Sequence, residues 1–309
     1  MKDFEKRFKS IQSEIINLYS GFEKSKKASI ISDSWKRPEG GGGRTFVIQE
    51  GAFFDNCAVN FSSIFGSKLP KAAIGNSIVK STRYGYQAMG VSVITHPKNP
   101  NIPTSHMNVR LFCILDKNNN IKDWWIGGGY DLTPYIIFKE DISLWHDQAK
   151  KMLDSYSKKY YNNFAQNCNE YFYIPHRKER RGIGGIFFDN TKHLTIDKSI
   201  EMLTSIAQSY AESYAEIIKR RSKTLFSAED KEFQSLRRGR YVEFNLVNDR
   251  GTAFGLQSNG RTPSILASLP LNASWKYKKE KTLELREKKL EKTINRDWNA
   301  KNLSGAENR

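Results

Sequence analysis

The stretch GVSVITHPKNPNIPTSHMNVRLFCI, residues 90–114, decides the fold. Residues 90–96 and 106–114 are rich in β-branched and other apolar residues, which is typical of strands. The segment between them contains three prolines, which exclude a helix there. The stretch therefore predicts two strands that form an antiparallel hairpin within a sheet.

Alternation along these two strands collects polar side chains on one face of the predicted hairpin. Since successive side chains of a strand point to opposite faces, one surface is expected to carry Ser92, His96, His106, Asn108 and Arg110. An imidazole can transfer a proton near neutral pH, and a guanidinium can bind a carboxylate through two hydrogen bonds. The pattern by itself favours the alternative, the polar solvent face of an ordinary hairpin.

The rest of the chain predicts an α+β fold around this hairpin. Apolar residues at three- and four-residue spacing predict helices, and alternating stretches predict further strands. The predicted helices are 2–26, 138–166, 197–224 and a charged helix from residue 276, and the predicted further strands are 44–50, 122–126, 240–247 and 252–257. We expect a single domain over residues 1–309 with a large, mainly antiparallel sheet, an N-terminal helix and connector at 1–39, and a charged tail at 278–309.

Composition narrows the class of protein. The chain has 309 residues, with 50 Lys and Arg against 33 Asp and Glu, and a formal charge of +17 that attracts anionic partners. No apolar run is long enough to span a membrane, and the N-terminus has no apolar segment typical of a secretory signal. Cys57, Cys113 and Cys168 form no CxxC pair, which indicates free buried thiols in a reducing compartment.

Three glycine-containing motifs lie outside the hairpin. In WWIGGGYD, residues 124–131, Asp131 is either a cap of the following segment, which the pattern favours, or a functional acid. The basic segment 176–185 (HRKERRGIGG) and the loop 259–262 (NGRT) could contact an anion. Neither has the spacing of a nucleotide-binding loop, and the chain carries no RNA- or DNA-binding motif.

Taken together, these motifs resemble the oxygen-dependent coproporphyrinogen III oxidase family. The resemblance is carried by five blocks in the same order as in the family: residues 40–66, 90–112, 124–135, 170–190 and 237–270. The block at 176–189, HR-x-E-x-RG-x-GG-x-FFD, is highly specific. The resemblance covers most of the chain from about residue 40 to 277, although Asn259 stands where the family commonly has a second glycine.

The resemblance implies a reaction and a substrate. In this family, O2 drives the oxidative decarboxylation of the ring A and ring B propionates of coproporphyrinogen III to vinyl groups, giving protoporphyrinogen IX in heme biosynthesis. The substrate carries four propionates and suits a basic chain. The family is regarded as needing no organic cofactor, and its sheet is flanked by helices on both faces.

The resemblance also implies roles for individual residues. His106 resembles the proposed proton donor or acceptor, Asp131 an acid that holds the pyrrole N–H groups, and Arg110 a propionate-binding group. The implied catalytic residues are His106, Arg110, Asp131, Asp249 and Arg250. The implied substrate-binding residues are Ser92, Asn108, Val109, Arg110, Asn259, Gly260 and Arg261.

The resemblance also has implications for metal binding, assembly and cellular location. Bacterial members are often described with a divalent metal at four histidines, which correspond to His96, His106, His146 and His176. These lack the spacing of a known site, and structural roles for His146 and His176 are the favoured interpretation. The family is homodimeric, with contacts expected within 241–277, and a cytoplasmic location is expected. The alternatives are a basic nucleic-acid-binding protein and an inactive tetrapyrrole-binding homologue.

Overall fold

One continuous antiparallel sheet forms the centre of the molecule. The computed structural model describes residues 1–70, 77–79, 83–257 and 260–298. Seven strands pair in the order β1-β2-β3-β4-β5-β6-β9, every pair antiparallel. The strands are β1 Ser29–Lys36, β2 Gly41–Gln49, β3 Phe54–Gly66, β4 Gly85–Pro97, β5 Thr104–Leu115, β6 Ile121–Thr133, and β9 Gly185–Thr191, while β7 Tyr173–Ile174 and β8 Glu179–Arg180 form a separate pair.

Helices cover both faces of the sheet, as expected. Within the described residues they are α1 Lys2–Phe22, α2 Lys139–Asp154, α3 Tyr160–Tyr171, α4 Ile196–Arg221, α5 Ala228–Glu243, α6 Arg250–Gln257, α7 Thr262–Leu266 and α8 Lys281–Ile294. Helices α1, α2 and α4 pack on the face that carries Val91, Val93 and Met107, and this side holds the main core. On the opposite face, Ile94 packs against Tyr241 of α5. The α+β prediction is therefore confirmed.

The hairpin of β4 and β5 forms as the sequence predicts. Ser92 lies opposite Asn108, and Ile94 lies opposite His106. Directly opposed residues share a face, so His106, Asn108 and Ser92 lie on the side away from α1 and α4. This register determines which side chains can meet in a site.

Strand β6 is longer than predicted. The sequence indicated a strand that ends at the glycines after residue 126, but β6 continues through them to Thr133. Gly127 lies opposite Arg110, and a Cβ at Gly127 would lie 2.8 Å from the Arg110 guanidinium. Gly129 has a φ of +135°, and a Cβ there would overlap the carbonyl of Ile186 in β9. The glycines therefore allow the strand to continue while leaving room above it for Arg110.

The predicted strands 240–247 and 252–257 are wrong. Residues 228–243 form helix α5, residues 244–248 form a π-helical turn, and residues 250–257 form α6. Ser227 and Asp230 begin α5 with a capping box. Phe233 and Leu236 then pack into the main core, and Tyr241 packs against Ile94 of the sheet. These tertiary contacts override the short alternation in RYVEFNLV.

The other helix predictions are confirmed in outline. The predicted helix 138–166 is divided into α2 and α3, because the chain turns at Ser157, whose carbonyl accepts a hydrogen bond from the Tyr160 N–H at 3.1 Å. Helices α1, α4 and α8 match predictions, and the three cysteines are free and buried. In the described part of the chain, no helix is long and apolar enough to cross a membrane.

Candidate active site

A cavity of about 380 Å³ lies on the face of the sheet opposite α1, α2 and α4. Strands β3 to β6 form one wall, and residues from α3, β9, α5 and the segment 245–268 form the other. Seven of the residues predicted from the sequence line it: Ser92, His106, Asn108, Arg110, Asp249, Gly260 and Arg261. The polar face of the hairpin is therefore the wall of a cavity rather than a solvent face.

A buried ion pair lies directly behind His106. His106 Nδ1 lies 2.9 Å from Asp131 Oδ1. Arg181 donates to both oxygens of the same carboxylate, from Nη2 to Oδ1 at 2.7 Å and from Nε to Oδ2 at 3.1 Å. The side chains of Asp131 and Arg181 are each 2% exposed, and that of His106 is 25% exposed. We call these three residues the floor cluster.

Aromatic rings enclose the guanidinium of Arg181. It lies over Phe172, Tyr241 and Phe244 at 4.1, 4.6 and 4.7 Å from their centroids. Its Nη1 donates to Asn245 Oδ1 at 2.9 Å. Such a site removes the charges from water, so each electrostatic interaction is strong, and an unpaired charge is costly.

The floor cluster fixes the charge of Asp131. Burial by itself raises the pKa of this carboxyl, but the Arg181 charge and the His106 hydrogen bond outweigh burial, so the pKa lies below its ordinary value. Asp131 is therefore a carboxylate at neutral pH. Because it accepts from Nδ1–H, the Nε2 of His106 is left for the cavity.

The sequence pattern favoured Asp131 as a cap, and this is wrong. The residue lies inside β6, directly opposite His106 on β5. Its two oxygens are both engaged by His106 and Arg181. Asp131 lies behind His106 and Arg181, which line the cavity.

Two arginines at the margin of the cavity are paired with carboxylates. Arg110 Nη2 lies 2.7 Å from Asp189 Oδ1, and their side chains are 40% and 30% exposed. Arg261 pairs with Asp33 of β1 and donates to Ser264 Oγ at 2.8 Å. We call Arg110 and Arg261 the rim arginines.

Asp249 and Arg250 lie at the start of α6. The Asp249 carboxylate accepts from Tyr171 Oη at 2.6 Å and from Thr252 Oγ1 at 2.7 Å. Burial raises the pKa of Asp249, but these hydrogen bonds bring it below the ordinary value. Arg250 is mostly exposed and lies over the Tyr171 ring, 4.9 Å from its centroid. Asp249 lines the cavity and positions the end of α6.

Two predicted substrate-binding residues stand apart. Val109 is fully buried in the main core, on the face opposite His106, so its side chain does not face the cavity. The alternation of the strand already implies this, since Val109 lies between Asn108 and Arg110. Asn259 lies outside the described residues.

The four histidines of the predicted metal site are not brought together. His96 bonds Thr104 and the Ser268 carbonyl, and His146 bonds Tyr161 and the Ile183 carbonyl. His176 bonds Glu243 at 2.8 Å, and His106 bonds Asp131. Among the described residues, which include all four, no three metal-ligating side chains form a cluster. The four imidazoles instead hydrogen-bond to different parts of the fold.

Burial keeps two of these histidines neutral. Burial and, to a lesser extent, the nearby Arg238 charge lower the pKa of His96 to about 3. Burial lowers the pKa of His146 to about 4, although its hydrogen bond to the Ile183 carbonyl acts in the opposite direction. Both imidazoles are structural donors and acceptors inside the fold.

The sequence did not single out several residues that build the cavity. Arg181 was read only as part of a basic segment, yet it is the main partner of Asp131. Tyr171, Phe172 and Phe187 line the cavity as an aromatic wall, and Tyr171 and Phe187 stack at 4.0 Å between ring centroids. The repeated aromatics of EYFY and GIFFD were the signal for this wall.

Comparison with known families identifies the chain. The family model described as coproporphyrinogen III oxidase matches residues 3–299 of the 309. The chain therefore belongs to the coproporphyrinogen III oxidase family, the oxidoreductases that decarboxylate the ring A and B propionates of coproporphyrinogen III oxidatively in heme biosynthesis. Nothing in the described part of the chain favours a nucleic-acid-binding protein.

Proposed function

We propose that this chain carries out the reaction of its family in the described cavity, with O2 as the oxidant and without an organic cofactor. The observation that carries the proposal is the floor cluster: an imidazole with a buried carboxylate behind it, facing a cavity lined by the rim arginines. This arrangement suits a substrate that must be held by its carboxylates and deprotonated at a pyrrole nitrogen.

His106 is proposed as the base. Its Nδ1–H donates to Asp131, and its Nε2 accepts the pyrrole proton. Asp131 is proposed to orient this imidazole and to stabilise its charged form, a role that a carboxylate behind a histidine plays in other enzymes. A direct contact of Asp131 with pyrrole N–H groups would require His106 or Arg181 to move away from it.

The rim arginines are proposed to bind propionates. A guanidinium binds a carboxylate in a fork of two hydrogen bonds, and Arg110 and Arg261 line the cavity. Ser92 and Asn108 add polar groups beside Arg110, and Asn108 Oδ1 lies 3.4 Å from Arg110 Nη1. Gly260 lines the same margin. We propose contacts to the substrate for Asn259, and for Val109 through its backbone alone.

The chemistry balances with O2 as electron acceptor. Each propionate plus O2 and one proton gives a vinyl group, CO2 and H2O2. Removal of the pyrrole proton makes the ring electron-rich, so that O2 adds to it. The peroxide then takes a proton from the propionate β-carbon, CO2 leaves, and its electron pair forms the vinyl group as the ring expels hydroperoxide. His106 returns its proton to the pyrrole nitrogen, and solvent protonates the hydroperoxide to H2O2. Asp249 and Arg250 are proposed to hold the Tyr171 wall against the macrocycle.

Turnover of coproporphyrinogen III tests this function. Purified protein in EDTA receives the substrate in air or under argon, and the products are oxidised and separated. The proposal predicts protoporphyrin in air and none under argon. Product under argon would contradict the role of O2, and no product in air, even after addition of Mn²⁺ or Fe²⁺, would contradict the enzyme assignment.

We also propose a homodimer that forms through 241–277. Several large apolar side chains of this segment are exposed, namely Leu246, Val247, Phe254, Leu271 and Trp275. Exposed apolar groups gathered in one segment are typical of an interface.

The free buried thiols support a reducing compartment, and we propose the cytoplasm.

Light scattering tests the assembly. Val247 is 70% exposed, and Val247→Asp should convert the dimer to a monomer, because a charge would be buried in the interface. Leu225, which is 93% exposed and lies outside the segment, provides the control as Leu225→Asp. A wild-type monomer, or a Val247→Asp dimer, would contradict the proposed interface.

A further inference from the structure

Each rim arginine already has a carboxylate partner in the protein. Asp189 of β9 holds Arg110, and Asp33 of β1 holds Arg261. The arginines line the cavity, and the acids reach them from its margin. The two acids come from opposite edges of the sheet, so the arrangement arises twice and independently.

The exposure of these two ion pairs allows the arginine and the carboxylate to separate. The side chains of Arg110 and Asp189 are 40% and 30% exposed, and those of Arg261 and Asp33 are 32% and 42% exposed. Ion pairs at such exposure contribute little to stability, because solvent screens the two charges. A substrate carboxylate can therefore replace the protein carboxylate at little cost.

The reaction changes the number of carboxylates in the cavity. Resting on the proposed function, the substrate enters with four propionates, becomes an intermediate with three, and leaves with two. A guanidinium that faces a new vinyl group has lost the counter-charge that the propionate supplied. A carboxylate of the protein within reach can restore that counter-charge.

We infer that Asp189 and Asp33 are specificity-determining residues that take over the rim arginines whenever no propionate occupies them. Each acid releases its arginine to a propionate and pairs with it again when that position carries a vinyl group. The site thereby accepts the four-, three- and two-carboxylate porphyrinogens in succession. Without the acid, the site would favour the fully carboxylated substrate at the expense of the intermediate.

Asp189→Asn tests this inference directly. Asparagine keeps the shape and the hydrogen bond to the Asn190 N–H, which lies 2.9 Å from Oδ1, but removes the charge. Asp147→Asn on α2 is the matched control, because Asp147 is exposed and lies outside the cavity lining, and the change adds the same charge. Asp33→Asn provides a second variant at the other arginine.

Two readouts are measured for each variant. Fluorescence titration with coproporphyrin III, which has four carboxylates, should show about fivefold tighter binding in Asp189→Asn than in Asp147→Asn. The affinity for protoporphyrin IX, which has two carboxylates, should not increase. Product analysis during turnover should show a several-fold larger share of the three-carboxylate intermediate. Thermal denaturation confirms that each variant is folded.

The outcomes separate the inference from the proposed function. If the wild type binds coproporphyrin III and turns over, but Asp189→Asn and Asp33→Asn match Asp147→Asn in both readouts, the inference is overturned alone. Weaker binding of both porphyrins in the variants would also overturn it, since the acids would then only position the arginines. A wild type that neither binds nor turns over overturns the proposed function.

Discussion

Two kinds of arginine–aspartate pair lie beside the same cavity, and burial separates them. In the floor cluster, Arg181 and Asp131 are each 2% exposed and share two hydrogen bonds. At the rim, Arg110 and Asp189 are 40% and 30% exposed and share one contact at 2.7 Å. The chemistry of the groups is the same, but the cost of separating them is not.

The difference in burial suits the two kinds of ion pair to different roles. Breaking a buried pair leaves an uncompensated charge and costs about 3–5 kcal/mol, whereas opening an exposed pair costs about 1 kcal/mol or less. The floor cluster can therefore hold His106 in one orientation through a whole catalytic cycle. The rim arginines can exchange partners with each carboxylate that arrives or leaves.

Removing the floor carboxylate should have the largest effect. In Asp131→Asn the amide no longer stabilises a protonated His106, so we expect kcat to fall by about 10³-fold or more. Arg181 is also left buried without its counter-charge, so the free energy of unfolding should fall by about 3 kcal/mol. Steady-state kinetics and denaturant unfolding measure the two effects.

Asp141→Asn provides the control for this loss. Asp141 is also a buried carboxylate, and it pairs with Arg221 on α4, away from the cavity. We expect its variant to lose stability and to keep kcat per folded molecule. Normal turnover in folded Asp131→Asn would contradict the floor as the catalytic part of the site.

Removing a rim arginine should act on binding more than on chemistry. In Arg110→Gln we expect KM to rise about tenfold and kcat to change much less, because one charge-assisted contact to a propionate is lost. Arg220→Gln is the matched control, since Arg220 is an exposed arginine paired with Glu216 at 3.0 Å on α4. A fall in kcat with an unchanged KM would remove the distinction between rim and floor.

A separate effect, on stability at low pH, concerns a buried group away from the cavity. His146 has its pKa lowered to about 4 by burial, against about 6.5 in an unfolded chain. Between these values the unfolded state binds more protons, so stability falls as the pH falls from about 6.5 to 4. His146→Gln should flatten this pH dependence by at most about 3 kcal/mol, measured by denaturant unfolding at each pH.

His193→Gln, which removes an exposed imidazole, is the control for the loss of a histidine. An unchanged slope in His146→Gln would show that this imidazole is not held neutral by burial. Such a result would weaken the claim that burial, rather than residue type, distinguishes the two kinds of ionisable group in this molecule.

The sequence could predict what depends on neighbouring residues. The prolines between residues 96 and 104 and the alternation on either side determined the hairpin, and strand parity placed His106, Asn108 and Arg110 on one face. The family motifs then pointed to the right segments. These features are local, or are carried by short blocks that keep their order along the chain.

The sequence could not predict what depends on distant partners. The alternation of RYVEFNLV suggested a strand, but packing of Phe233 and Tyr241 makes the segment helical. Asp131 was read as a cap because its partner Arg181 lies fifty residues away. Likewise, Asp33 and Asp189 carry no local signal of contact with the rim arginines.

A crystal structure of the protein with coproporphyrin III bound tests the central claim most directly. The account predicts His106 Nε2 within hydrogen-bond distance of a pyrrole nitrogen, Asp131 still paired with Arg181, and propionates on Arg110 and Arg261 in place of Asp189 and Asp33. A macrocycle whose nitrogens face away from His106, or whose carboxylates avoid both rim arginines, would contradict it.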